Sequence, residues 1–211
     1  DSTGIITNEC AKYEVGIIFH RGISTFPGYK QEDANLGVWS GEWFNSGDMG
    51  RIDEEGYLWL VGRSKDLIIR GGHNIDPAMI ENAMAAHPAV ALAAAVGMPD
   101  AYAGELPVCF VELLPGAKVN VEDLHRHAQS SIDERPAWPK LIQIIDSIPL
   151  TTVGKIFKPS LRCDIAKQRV MDLVKNEFGI AKARVEVVAG GARGMSVTVT
   201  IPEDDRSSIA E

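Results

Sequence analysis

Between residues 13 and 62 the apolar positions fall in short runs bounded by glycine. Val15–Phe19 and Tyr57–Val61 are rich in β-branched and aromatic residues, and both predict strands. Between them, Asp53-Glu54-Glu55-Gly56 predicts a turn in which the glycine supplies the unusual dihedral. Leu67–Ile69 predicts a third, short strand running into Gly71-Gly72, where the backbone can bend or be closely approached. From Asp76 the period changes from strand to helix. Asp76 is a good N-cap, Pro77 suits the first helical position, and Ile80, Ala83 and Met84 form one apolar face before His87-Pro88. Val90–Val96 and Pro107–Leu114 predict strands. Asn120 caps a second helix with Glu122 and Asp123 in its first turn and Leu124, Ala128 and Ile132 at helical spacing. Leu141–Ile145 predicts another strand. This alternation describes a compact α+β domain of roughly a hundred residues.

The tail has a different pattern. Asp164 is placed to cap a helix with the face Ala166, Val170, Leu173, Val174 and Phe178, closed by Gly179. Arg184–Ala189 and Met195–Ile201 alternate around Gly190–Gly194, which is a hairpin signal, and Asp204–Glu211 is expected to fray.

Composition narrows the class. The 211 residues are 45% hydrophobic and 24% charged, ordinary globular values, with a net charge of −8 and no basic face. A nucleic-acid partner is therefore not expected. Cys10, Cys109 and Cys163 are far apart and odd in number, which fits a reduced, cytoplasmic protein with buried thiols. The longest apolar run, Ala89–Met98, is well short of the ~20 residues that span a bilayer, so no transmembrane segment is expected.

Three segments carry candidate chemistry. The first is Pro149-Leu150-Thr151-Thr152-Val153-Gly154-Lys155-Ile156-Phe157-Lys158. A lone Gly-Lys is usually a surface lysine after a turn. Here Pro149 stiffens the approach, Gly154 lets the backbone present the ammonium, and Thr151 and Thr152 add hydroxyls. Such a lysine can bridge a carboxylate and a phosphate and stabilise charge as oxygen attacks phosphorus. The second segment runs from Gly62-Arg63-Ser64-Lys65-Asp66 through Gly71-Gly72-His73-Asn74 to Pro77, and the third is Ser46-Gly47-Asp48. Asp48, placed after a glycine at a strand end, can accept hydrogen bonds from a ribose diol, although a Gly-Asp alone is usually a turn. Arg63 has the fork for phosphate or ribose oxygens, or for a surface salt bridge. His125 and His127 stand two apart on a helix and point in different directions, so no metal site is expected.

In that order and spacing, the three segments resemble the carboxyl-terminal third of the AMP-forming, acid-activating ligases. These are the acyl-CoA synthetases, peptide-synthetase adenylation domains and beetle luciferases. The resemblance covers Tyr13 to Arg162. It implies that residues 1–64 are the last β-rich part of a large AMP-binding domain and residues 65–162 a mobile lid domain. Residues 163–211 are then a helix-plus-hairpin extension beyond the usual ending. It also implies that Lys155 is catalytic in the adenylation half-reaction, supported by Thr151, Thr152 and Gly154. Asp48 and Arg63 would hold the nucleotide, and Lys65 would be the hinge. Gly71, Gly72, His73 and Asn74 would line the pantetheine channel. Two departures stand out: Ser46 replaces the usual Thr, and His73 stands where acyl-CoA synthetases commonly carry Glu, so His73 inherits no side-chain role.

The implied reaction converts a carboxylic acid, ATP and coenzyme A to acyl-CoA, AMP and pyrophosphate through an acyl-adenylate, with a fatty acid as the expected acid. ATP/AMP, coenzyme A and Mg2+ are the implied ligands, the Mg2+ being held by a missing N-terminal domain of the same polypeptide. On this reading the 211 residues alone are expected to be inactive, and an oligomer remains open. The alternatives are an adenylation domain that loads a carrier protein, or a non-catalytic interaction module retaining the lid fold.

Overall fold

The computed structural model describes residues 5–190 and 194–202. The expected fray at Asp204–Glu211 and the centre of the last turn, residues 191–193, lie outside the described residues. Contacts divide the chain into two compact units, Asp1–Leu67 and Ile68–Glu211.

In the first unit, β1 (Gly16–His20), β2 (Trp39–Ser40), β3 (Trp43–Ile52) and β4 (Leu58–Arg63) form an antiparallel sheet in which β3 pairs with all three others. The β3–β4 turn is the expected one. Asp53 Oδ1 accepts the Glu55 and Tyr57 amides at 3.0 and 2.9 Å, and its Oδ2 accepts the Trp59 indole N–H at 2.7 Å. For β3 the sequence supplies only a strand end at Asp48 and no range. Its residues, Trp43-Phe44-Asn45-Ser46-Gly47-Asp48-Met49-Gly50-Arg51-Ile52, mix polar side chains and glycines and give no clean alternation. Asp48 accordingly sits inside a strand rather than at a strand end.

The second unit begins with β5 (Ile68–Arg70) and β6 (His73–Ile75), followed by α1 (Pro77–Ala85), β7 (Val90–Asp100) and β8 (Gly104–Leu113). Then come α2 (Val121–Ser131), β9 (Leu141–Ile145), α3 (Lys158–Phe178), β10 (Arg184–Ala189) and β11 (Met195–Thr200). Both predicted N-caps form: Asp76 accepts the Ala78 amide at 2.9 Å and Asn120 the Asp123 amide at 2.7 Å. β8 is central, antiparallel to β7, parallel to β9, and bridged to β5 at Arg70–Gly104.

Alternation along β7 and β8 sorts the core onto two sides. Ala93, Ala95, Cys109 and Val111 pack with Ile80 and Met84 of α1 and Leu124 and Ala128 of α2. Ala94, Val96, Val108 and Phe110 pack with Leu161 and Ile165 of α3. A strand covered on both faces carries a continuous apolar run, which accounts for the run from Ala89 to Met98. Burial pushes the Cys109 thiol up to about 12, and the nearby Glu81 charge adds to the effect.

α3 differs from expectation in two ways. It starts at Lys158, six residues before Asp164, with proline in its first turn. Its buried residues are Leu161, Ile165 and Ala166, whereas Met171, Leu173 and Phe178 farther along are exposed. Of the face marked by the spacing only Ala166 is buried, while Leu161 and Ile165, which pack on the sheet, lie before it. Gly179 ends the helix at φ 68°, and β10 and β11 form the expected hairpin.

Candidate functional site

The Lys155 loop is built by its own backbone. The Phe157 amide donates to the Pro149 carbonyl at 2.7 Å and the Thr151 amide to the Lys155 carbonyl at 2.6 Å. The Gly154 amide donates to the Thr151 carbonyl at 2.9 Å, and the Lys155 amide to Thr151 Oγ1 at 3.1 Å. A Leu150–Ile156 bridge closes the neck. Gly154 lies at φ 77° in open space, so the turn needs glycine for its dihedral and not for room. Thr151 therefore has a defined job as the loop's internal cap, while Thr152 is exposed. The Lys155 side chain is exposed, and among the described residues nothing pairs with its ammonium. The loop thus presents an uncommitted positive charge from a hydrogen-bonded frame, suited to meeting a developing anion.

In the first unit, Asp48 and Arg63 face each other across β3 and β4, and Arg63 Nε lies 3.1 Å from Asp48 Oδ1. The two nucleotide candidates are thus each other's ion pair, with side chains 65% (Arg63) and 43% (Asp48) exposed. Such a pair contributes only about 0–1 kcal/mol to stability and leaves both groups accessible. The segment before Asp48 is held firmly. Ser46 Oγ donates to the Ile18 carbonyl at 2.8 Å and accepts the Asp48 amide at 3.1 Å. Asn45 Oδ1 takes the Gly47 amide at 2.9 Å. The hydroxyl at position 46 therefore ties β3 to β1, which explains why a serine can stand for a threonine there. Lys65 occupies a single 3-10 turn, Ser64–Asp66, just before the division between the units.

Gly71 and Gly72, at φ 55° and 85°, form the two-residue turn of the β5–β6 hairpin. His73 and Asn74 are exposed at the start of β6 rather than part of an irregular loop. The hairpin is fastened to the β7–β8 turn and the start of β8: the Gly71 amide donates to the Ala103 carbonyl at 2.7 Å and the Ile69 amide to Glu105 Oε2 at 2.9 Å. Beside it lies an open groove of about 360 Å³ lined by Arg70, Gly71, His73, Ala103, Arg135 and Pro136. Arg70 also donates to the Pro136 carbonyl, and the Arg135 guanidinium lies over the Trp138 ring at 5.7 Å. Sequence reasoning missed both arginines, because no local motif links residues 65 positions apart. Among the described residues no group of three or more His, Cys, Asp or Glu could hold a metal ion.

Residues 79–155 match the AMP-binding enzyme C-terminal domain. The chain is 48% identical over 200 residues to the marinolic acid–CoA ligase of Pseudoalteromonas sp. (strain SANK 73390), covering 94% of this chain and 31% of that protein. It is 38% identical over 152 residues to the long-chain-fatty-acid–CoA ligase of Bacillus subtilis (strain 168), covering 72% of this chain and 27% of that protein. Among solved structures it resembles o-succinylbenzoate CoA synthetase (MenE) from Bacillus subtilis, in complex with the acyl-adenylate intermediate OSB-AMP. The TM-score is 0.66 at 31% identity, over 72% of this chain and 31% of that one. The same enzyme is known in complex with ATP and magnesium ion. This chain belongs to the superfamily of AMP-forming acyl-CoA synthetases and related acyl-adenylate-forming ligases. It spans about a third of the length of the relatives it matches.

Proposed function

We propose that the chain is the carboxyl-terminal portion of an ATP-dependent acyl-CoA ligase acting on a fatty-acid-type carboxylic acid. The observation that carries this reading is the Lys155 loop, a free ammonium held on a pinned frame in a chain whose relatives are CoA ligases. In the first half-reaction a carboxylate oxygen attacks the α-phosphorus of ATP, the new carboxyl–phosphate bond forms, and pyrophosphate leaves. Lys155 stabilises the charge shared between the carboxylate and the phosphate. In the second, the coenzyme A thiol attacks the acyl carbonyl and AMP leaves.

Asp48 accepts the ribose hydroxyls, and Arg63, already paired with it, orients that carboxylate. Residues 65–162 act as a lid that turns about Lys65 between the half-reactions. The turn brings the Gly71–Asn74 hairpin to the pantetheine arm. The groove flanked by Arg70 and Arg135 supports that assignment, because it offers positive charge beside an exposed glycine turn. Residues 163–211 are a structural extension, and a match over 94% of the chain to the marinolic acid ligase is long enough to take in α3 and β10. Magnesium ligands are assigned to the remainder of the polypeptide. The 211 residues alone do not turn over, and the protein works in the cytoplasm with its three thiols unpaired. Among the described residues no helix is long and apolar enough to cross a membrane.

Acid-dependent ATP–pyrophosphate exchange tests this reading in the natural polypeptide that carries the chain. A panel of fatty and aryl acids should give exchange that is strongest with fatty acids. No exchange with any acid would favour the interaction-module alternative, and transfer to a phosphopantetheinyl carrier but not to coenzyme A would favour the carrier-loading one.

A further inference from the structure

Lys158 is the first residue of α3, and a cation at a helix N-terminus opposes the helix dipole. The residue before it, Phe157, supplies no side-chain cap. Lys158 is nevertheless 16% exposed at its side chain, and its ammonium lies 2.8 Å from Oε1 of Glu81, itself 19% exposed. The same Glu81 oxygen accepts the Ala95 amide at 2.8 Å. β7, which carries Ala95, has β8 as its one partner strand among the described residues, so Glu81 satisfies an amide on an otherwise open edge. One carboxylate oxygen thus joins α1, β7 and the start of α3.

The position of this junction gives it a role beyond stability. Lys158 lies three residues after Lys155, and the Phe157–Pro149 hydrogen bond and the Leu150–Ile156 bridge make the intervening loop one closed unit. The loop's other end is held in the same manner. Ile148 is buried against the α3 side of the sheet, and its amide donates to Glu112 Oε2 on β8 at 2.7 Å. Two carboxylates, one on each side, therefore set where the loop leaves the sheet and where it enters the helix. A small displacement of a catalytic group costs rate steeply.

We infer that Glu81 and Lys158 are a positioning pair for Lys155, needed for acyl-adenylate formation and not for thiol transfer. This rests on the adenylating role assigned to Lys155. The pair touches neither nucleotide nor acid in this account. It acts by fixing the helix start from which Lys155 is presented.

The test uses the natural polypeptide with Lys158→Met, Lys158→Arg, Glu81→Gln and Lys155→Ala, measured in two separate half-reactions. One is acid-dependent ATP–pyrophosphate exchange; the other is single-turnover transfer from preformed acyl-adenylate to coenzyme A. Lys158→Met is expected to lower exchange by roughly 10- to 100-fold while transfer stays within about twofold of wild type, with Lys158→Arg restoring most of the exchange. Glu81→Gln keeps a side-chain acceptor for the Ala95 amide while removing the charge, so it reports the same split if Lys158→Met does not fold. Equal loss in both half-reactions, tracking a lowered melting temperature, would make the pair merely structural and overturn the inference. So would unchanged exchange in Lys158→Met beside lost exchange in Lys155→Ala. Unchanged exchange in Lys155→Ala would instead overturn the underlying reading, and this one with it.

Discussion

The two units bury their apolar residues very differently. From Ile68 onward a sheet is covered on both faces, and its core includes Ile68, Ile75, Ile80, Met84, Val96, Val108 and Val111 at 0% exposure. In residues 5–67 only Gly50 is buried, while Tyr57, Leu58, Trp59 and Leu60 are all more than half exposed. Net stability is a small difference between burial and conformational entropy. A unit with a two-sided core can hold its shape by itself, whereas a sheet whose residues beyond Gly50 are at best half-buried, even with Phe26, Trp39 and Phe44 packed together, gains less from burial. The second unit is built around its own core, and the first buries little.

The most drastic way to break this comparison is to separate the units. Residues 68–202 expressed alone are expected to melt cooperatively, and residues 1–67 alone are expected to show no cooperative transition in calorimetry. Cooperative melting of residues 1–67 would refute the contrast. Single substitutions sharpen it further. Ile80→Ala, which empties a site between helix and sheet, should cost about 2–5 kcal/mol in denaturant unfolding, while Leu60→Ala should fall within about 0.5 kcal/mol. Alkylation gives a smaller, kinetic readout. At pH 8 exposed Cys10 should label readily, and Cys109, buried and pushed up to about 12, should label only as the second unit unfolds.

The smallest effect concerns acid pH. The Trp59 indole, with the Tyr57 and Glu55 amides behind it, holds the Asp53 carboxyl below its ordinary value of 3.8. The amides of Ala103 and Tyr102 do the same for Asp100 in the second unit. Each lowered value means that the unfolded chain binds the proton first as pH falls. The contribution is complete above about pH 4 and is lost as pH drops through the folded value. Trp59→Phe should move the Asp53 titration, followed by carbonyl NMR, up toward its ordinary range and leave Asp100 in place. An unmoved Asp53 would show that the indole is not the cause.

Local chemistry was legible wherever one segment contained its own explanation. Asp76 and Asn120 announced their helices because an N-cap needs only the following turn, and Gly154 and Gly71-Gly72 announced turns because few residues accept positive φ. The extent of β3 was not legible, since Asn45, Ser46 and Gly47 are held by partners such as the Ile18 carbonyl and by each other rather than by an alternating pattern. The start of α3 was misplaced at Asp164 because a lysine in its first turn argues against an N-terminus until Glu81, 77 residues earlier, is brought beside it. Asp48 and Arg63 were each legible as candidates. Their pairing came from the register of two strands, which no motif records.

The central claim is that the exposed ammonium at Lys155 serves acyl-adenylate formation. The direct measurement is acid-dependent ATP–pyrophosphate exchange by the natural polypeptide, wild type beside Lys155→Ala, with coenzyme A transfer from preformed adenylate measured in parallel. Loss of a preorganised charge at a developing anion is expected to lower exchange by about 10²–10³-fold and to leave transfer nearly unchanged. Exchange undiminished in Lys155→Ala would contradict the account.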